Sequence, residues 1–185
     1  MTHGWSLVYE EFDPAQESLR EALTTLGNGY IGTRGAAEES DADDIHYPGT
    51  YLAGGFNRLV TDVAGRDIVN EDFVNFPNWL SLKVRHEMGG WLNLMEVEIL
   101  SYRQELLLDE GILERSVRFR DPQDRESTIR SRRFVHMGSP HLGAVQMELV
   151  AENWTGIVIA RSALDGQVIN HGVARYRQLN SQHLR

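Results

Sequence analysis

Gly27-Asn28-Gly29-Tyr30-Ile31-Gly32-Thr33-Arg34-Gly35 is the stretch on which the reading of this chain turns. The spacing Gly27-x-Gly29-x-x-Gly32 fits a dinucleotide-binding fingerprint, in which a pyrophosphate rests on the N-terminus of the helix that follows. Here Thr33-Arg34-Gly35 follows instead, and then Glu38, Glu39, Asp41, Asp43 and Asp44, whose charges repel phosphate. A hairpin explains the residues better. Asn28-Gly29 is predicted as a two-residue type I′ turn, because both residues tolerate positive φ. Four glycines in these nine residues also suit a place where another segment approaches the backbone closely.

Upstream, two signals compete. Asp13-Pro14-Ala15-Gln16 reads as a helix N-cap with Pro in the first turn and a capping-box Gln. Leu19, Ala22, Leu23 and Leu26 recur at helical spacing, and Gly27 suits a C-cap. Local physics thus favours a helix over 14–26. A hairpin turn at 28–29 needs a strand leading into it, however, so 21–26 is assigned to a strand, leaving room for a helical turn at 14–18.

Strand patterns dominate the remainder. Trp5 to Phe12 ends at Asp13-Pro14. Trp79 to Arg85 alternates and stops before Gly89-Gly90, with Trp91 to Met95 as its expected hairpin partner. Ile112 to Arg120 alternates up to Asp121-Pro122, and Ser127 to Val135 reads as a polar, half-exposed strand. Leu142 to Ala151 sets Leu142, Ala144, Gln146, Glu148 and Val150 on one face, and Val145, Met147 and Leu149 on the other. Gly156 to Arg161 is a short apolar strand, and Gly172 to Leu179 alternates like another. Many short strands with regular Gly, Pro or Asp breaks predict a β-sandwich. The acidic stretch Glu38 to Asp44 is expected to be a solvated loop. It is no EF-hand, because His46 stands where that loop needs Gly.

Composition narrows the function. The 185 residues suffice for one domain with a real core. A net charge of −9 disfavours nucleic acid as a partner. Without cysteine there are neither disulfides nor thiolate metal sites. No apolar run approaches the roughly 18 residues of a membrane span, and Met1-Thr2-His3-Gly4-Trp5 lacks a signal-peptide pattern, so a cytoplasmic protein without membrane contact is expected. Asn153-Trp154-Thr155 is a sequon that carries no meaning without secretion.

The hairpin region, together with Glu21-Ala22-Leu23-Thr24-Thr25-Leu26 before it, resembles the N-terminal region of glycoside hydrolase family 65: the maltose, trehalose and kojibiose phosphorylases and acid trehalases. Further similarities follow in order. Tyr51-Leu52-Ala53-Gly54-Gly55-Phe56-Asn57 is similar to the family's second Gly-containing strand, and Val74-Asn75-Phe76-Pro77-Asn78-Trp79 to its N-x-P-x-W segment. Tyr102 to Arg115 resembles Y-R-x-x-L-D-x-x-x-G-x-L-x-R. Arg133-Phe134-Val135-His136 resembles R-F-x-S, with His136 in place of Ser. Asn153-Trp154-Thr155-Gly156 and Ser162 to Asn170 complete the set, which covers nearly the whole chain.

The resemblance implies an all-β, mainly antiparallel, galactose-mutarotase-like β-sandwich (a supersandwich), C-terminally truncated and occupying residues 1–185. The general acid and phosphate site of such enzymes lie in an (α/α)6 barrel, which this chain is expected to lack. The implied function is therefore non-catalytic: packing on the barrel of the same polypeptide, shaping the entrance to a disaccharide site, and dimerising. No cofactor or metal is expected; inorganic phosphate is a co-substrate of the parent if it is a phosphorylase. Asn28, Gly29, Tyr30, Arg34, Asn57 and Trp79 are the barrel-facing or sugar-proximal candidates.

Two alternatives stay open. An independent carbohydrate-binding module would use the faces of Trp5, Trp79, Trp91 or Trp154, with Asn57, Asn78, Asn153 or Arg34 beside them. An epimerase would pair a histidine (His136, His141, His171 or His183) with Glu148 or Glu152. Glycosidase chemistry needs one carboxyl raised in pKa and a second across the sugar. Glu96, Glu98, Glu105 and Glu148 are read instead as solvent-facing charges on strands.

Overall fold

A computed structural model describes residues 4–170. The predicted strand Gly172 to Leu179, and His171 and His183, lie outside the described residues. These described residues form an all-β, antiparallel assembly with one short α-helix among them.

Its largest sheet has five strands, in the order β1 (Ser6–Tyr9), β8 (Glu98–Leu107), β9 (Ile112–Arg120), β10 (Glu126–Val135), β11 (Gly143–Ala151). Strict alternation gives this sheet an inner and an outer face. Cross-strand rows on the inner face read Tyr102–Val117–Ile129–Leu149, Gln104–Arg115–Ser131–Met147 and Leu106–Leu113–Arg133–Val145. The two-faced reading of Leu142 to Ala151 agrees with this register. The outer face is a lattice of ion pairs, among them Arg120–Glu98, Arg118–Glu126 and Arg130–Glu148.

Smaller sheets cover the inner face. At one end β7 (Leu82–His86), paired with β12 (Val158–Ser162), brings Val84 onto Tyr102, Val117, Phe119 and Ile129. At the other end β2 (Leu26–Gly27), β3 (Ile31–Thr33) and β4 (Thr50–Leu52) bring Leu26 onto Leu106, Leu113 and Val135. Burying each such aliphatic side chain contributes about 1.5–3 kcal/mol.

Between these two apolar ends lies a polar layer. Residues 34–41 run through it, and here the expectation of a solvated acidic loop fails. Glu38 and Glu39 are 3% and 6% exposed. Arg115 and Arg133, which point inward from β9 and β10, hold them in place.

The segment 21–26 is likewise corrected. Glu17–Leu23 is helix α1, and the strand is only Leu26–Gly27. Gln16 and Thr24 flank the helix; Asp13 instead accepts a bond from Ala15 N at 3.0 Å. The helical spacing was right, but the face is inverted. Leu19 and Leu23 are about half exposed, whereas Glu21 is 1% exposed. Glu21 faces inward because Tyr47 N donates to its Oε2 at 2.9 Å and His46 Nδ1 lies 3.0 Å from its Oε1.

The Gly-rich hairpin forms, with its turn one residue later than expected. Gly27 pairs with Gly32, so Gly29 and Tyr30 are the central residues. Gly29 has φ +86° and Tyr30 does not share the positive φ, which is the type II′ rather than the I′ pattern. Gly35 is the point of close approach: a Cβ there would lie 1.8 Å from Thr24 Oγ1.

Two further differences concern hairpins. Trp91 to Met95 is not a strand; Leu92 N bonds Val84 O at 3.0 Å and a single 3-10 turn follows at Leu94–Glu96. Conversely β5 (Phe56–Val63) and β6 (Arg66–Phe73) form a long, exposed arm that was not anticipated. Its turn is Ala64-Gly65, with φ of 55° and 77°.

Candidate functional site

The Gly-rich hairpin docks on the connection between β10 and β11. Asn28 Nδ2 donates to His136 O at 2.9 Å and Pro140 O at 3.2 Å, while its Oδ1 accepts from Tyr30 N and Ile31 N at 3.0 and 2.9 Å. Its side chain thus closes the turn and ties it to the sheet. The Tyr30 ring meets His141 edge-on at 4.4 Å. Trp79 packs at this same end, against the cluster of Leu26, Leu106, Leu113 and Val135 and over Gly143. Its indole Nε1 is buried without a hydrogen-bond partner among the described residues.

The six candidates therefore divide. Asn28, Gly29, Tyr30 and Trp79 gather at one end of the sandwich. Arg34 does not join them. Its Nε donates to Tyr47 O at 2.9 Å, its Nη2 to Ser18 O at 2.8 Å, and it stacks over the Tyr47 ring. Asn57 sits on the β5–β6 arm, opposite Asp72, and its Oδ1 accepts from Arg58 N.

The carboxylates on strands carry structural pairs. Glu98 pairs with Arg120, Glu105 with Arg103 and Glu148 with Arg130. Glu152 pairs with Arg118 and accepts from Thr128, and these two bonds hold its carboxyl below the ordinary range. His136 Nδ1 accepts from Gly138 N and Ser139 N, a turn-closing role. Among the described residues no three His, Asp or Glu side chains converge as a metal site, and no helix is long and apolar enough to cross a membrane.

The strongest electrostatics belong to the buried layer. Arg115 Nη1 donates to Glu39 Oε1 at 2.8 Å, and its Nη2 bonds Glu39 Oε2 and approaches Glu38 Oε2 at 3.3 Å. Arg133 Nη1 donates to Ala36 O at 2.6 Å and Glu38 Oε1 at 3.3 Å, and Ser131 Oγ donates to Glu38 Oε2. Burial pushes the Glu39 carboxyl up, but the Arg115 guanidinium outweighs it and holds it below the usual range. Burial lowers Arg133. For His46 burial acts downward, and the Glu21 carboxylate overcomes it, so the imidazole is raised. Sequence reading missed this layer, although a signal existed. Arg115 shares the parity of Leu113, Val117 and Phe119, and Arg133 that of Ile129 and Val135, so both sit where the alternation demands a buried residue.

Residues 7–185 match the model of the glycosyl hydrolase family 65 N-terminal domain, and the chain belongs to that family. An uncharacterized glycosyl hydrolase of Mycobacterium tuberculosis is 51% identical over 180 residues, 97% of this chain and 14% of that protein. The trehalose 6-phosphate phosphorylase of Lactococcus lactis is 34% identical over 96% of this chain and 23% of its own length. The kojibiose phosphorylase of Thermoanaerobacter brockii is 32% identical over 90% and 20%. The solved structure of a putative kojibiose phosphorylase from the human microbiome superposes with a TM-score of 0.82 at 21% identity, over 91% of this chain and 22% of that one. The fold is thus shared, and the chain spans less than a quarter of the length of these relatives.

Proposed function

We propose that this chain is the non-catalytic N-terminal domain of an inverting α-glucoside phosphorylase or hydrolase. It packs on a catalytic barrel of the same polypeptide and shapes the entrance to its disaccharide site. The observation that carries this reading is the match of residues 7–185 to the family's N-terminal domain, in a chain whose candidate strand carboxylates Glu98, Glu105 and Glu148 are each held in an ion pair. In the parent reaction phosphate attacks the anomeric carbon while a barrel carboxylic acid protonates the departing sugar; in a hydrolytic branch water replaces phosphate. Inorganic phosphate is then a co-substrate, and no cofactor is required. The end bearing Asn28, Gly29, Tyr30 and Trp79 is the surface we assign to the barrel. A cytoplasmic, homodimeric parent fits this reading.

The 185-residue chain is tested for phosphorolysis and hydrolysis of maltose, trehalose and kojibiose beside the full-length protein. Loss of a general acid alone removes about 10²- to 10⁴-fold in rate. The expected result is activity in the full-length protein only. Turnover by the 185-residue chain that survives repurification overturns the proposal.

A further inference from the structure

Asn28-Gly29 is the only Asn-Gly pair in the chain, and it lies at the tip of the docked hairpin. Such a pair carries its own chemistry. The Asn side-chain carbon is an electrophile, and the next backbone nitrogen can reach it by closing a five-membered ring. A glycine at the second position sets no Cβ against that approach. Gly29 is open as well: a Cβ built on it would meet nothing within 4 Å. What holds the Asn28 amide therefore decides whether the ring closes.

In the fold that amide is held at both ends. Nδ2 donates to His136 O at 2.9 Å and Pro140 O at 3.2 Å, and Oδ1 accepts from Tyr30 N at 3.0 Å and Ile31 N at 2.9 Å. Two carbonyls on one side and two N–H groups on the other fix which end is nitrogen. The atom that must depart, Nδ2, is the atom bound to the β10–β11 connection. Ring closure thus requires the hairpin to lift first. Two hydrogen bonds and the Tyr30–His141 ring contact oppose lifting, so the opening is local rather than global.

The product is unable to dock again. A carboxylate at position 28 only accepts hydrogen bonds, and it would set an oxygen where Nδ2 now faces two carbonyl oxygens. An isoaspartyl link would also lengthen the backbone inside a two-residue loop, against the Gly27–Gly32 pairing and the bond from Asn28 N to Ile31 O at 3.1 Å. The β10–β11 connection keeps its own bonds, from Gly138 N and Ser139 N to His136 Nδ1 and from Leu142 N to Ser139 O. Only the hairpin is released.

We propose that Asn28-Gly29 is a site of one-way modification, gated by the docking of the hairpin, that converts a docked hairpin into a free one. In the lifted hairpin Gly29 N attacks Asn28 Cγ. The N–Cγ bond forms, the Cγ–Nδ2 bond breaks, and the Gly29 amide proton leaves with Nδ2 as ammonia. Water then opens the succinimide at either carbonyl, giving aspartate or isoaspartate. The net change is amide plus water to carboxylate plus ammonium, with water as the sole co-reactant. It holds whether or not this end of the sandwich faces a barrel.

The 185-residue chain is aged at mildly alkaline pH, folded and in urea, and then cut with trypsin. Arg20 and Arg34 bound a peptide, residues 21–34, in which Asn28 is the sole Asn or Gln, so its mass gain reports this site alone. The folded chain should react at least about tenfold more slowly than the unfolded one, the factor set by its opening equilibrium. Tyr30→Ala removes the ring contact with His141 and keeps Asn28, and should speed the folded reaction severalfold. Asn28→Asp stands in for the product. Its Tyr30–His141 NOEs should vanish, while those between His86 and Trp154, at the other end of β10, persist. Where that variant does not fold, the deamidated fraction of the aged parent takes its place. Equal rates in the folded and unfolded chain overturn the gating, as does a Tyr30→Ala rate no faster than the parent's. A Tyr30–His141 contact that survives in the product overturns the release.

Discussion

Arg115 on β9 and Glu39 in the loop after β3, 76 positions apart, lie with Nη1 and Oε1 2.8 Å apart at the centre of the sandwich, each side chain about 4% exposed. With Arg133, Glu38 and Ser131 they form a charged layer between two apolar clusters. The pairing decides the path of residues 34–41, because neither carboxylate could be buried alone.

Breaking this pair from one side should be costly. Arg115→Ala leaves Glu39 buried without its partner, and a loss of about 3–5 kcal/mol is expected. The double replacement Arg115→Met with Glu39→Leu should cost much less, since it removes both charges at similar volume. Urea denaturation of the three proteins tests this. A single variant as stable as the parent would show that the layer is not a closed ion-pair network.

The two hairpin glycines should respond differently to alanine. Around Gly29 a Cβ meets nothing within 4 Å, so only its φ of +86° is strained. Gly29→Ala should therefore cost about 1 kcal/mol, and Gly29→Val somewhat more, within the roughly 1–3 kcal/mol of a strained backbone position. Gly35→Ala places a Cβ 1.8 Å from the buried Thr24 Oγ1 and should cost more than either. Thermal melts rank the three, and a Gly29→Val protein that melts like the parent refutes the turn.

His46 should make stability depend on pH near neutrality. Its imidazole is raised, against the pull of burial, by Glu21 at 3.0 Å, with Asp43 and Glu17 also nearby. A raised folded pKa means that protonation favours the fold. The contribution is complete below the unfolded value of about 6.5 and declines as pH rises through the folded value. Glu39 acts with the opposite sign: lowered in the fold, it contributes above its unfolded value and is lost as pH falls through the folded one. His46→Gln should flatten the alkaline decline in melts from pH 4 to 9, while the acid limb persists, because Arg115 does more than His46 to lower Glu39.

The β5–β6 arm should drive self-association. Phe56 pairs with Phe73, rings 4.6 Å apart, and Val60 pairs with Val69, all about half exposed on one face. Two eight-residue strands with no further neighbour among the described residues also present open edges, which invite pairing with another chain. The net charge of −9 opposes contact most at low salt, so salt should increase association. Val60→Lys should suppress it. Sedimentation at low and high salt decides, and a monomer in both at high concentration would mean that the arm is inert.

Local chemistry carried much of this structure. Strand alternation was legible in Ile112 to Arg120 and Leu142 to Ala151 because a period of two survives wherever one face is covered, and Gly29 announced a turn because few residues accept its φ. The family was legible for the same reason, since its motifs cluster at turns and strand ends. The helix at Glu17–Leu23 is also written locally, in the helical spacing of Leu19, Ala22 and Leu23, and the hairpin turn is served by a strand as short as Leu26–Gly27. What no local rule supplied was the direction in which charge faces. Glu21, Glu38 and Glu39 look like solvated acids in sequence. They are buried because His46, Arg115 and Arg133, distant along the chain, arrive with matching charge, and burial of an ion is tolerable only when its partner arrives with it. The periodicity of the chain therefore set its sheets, and tertiary pairing alone decided which charges the sheets enclose.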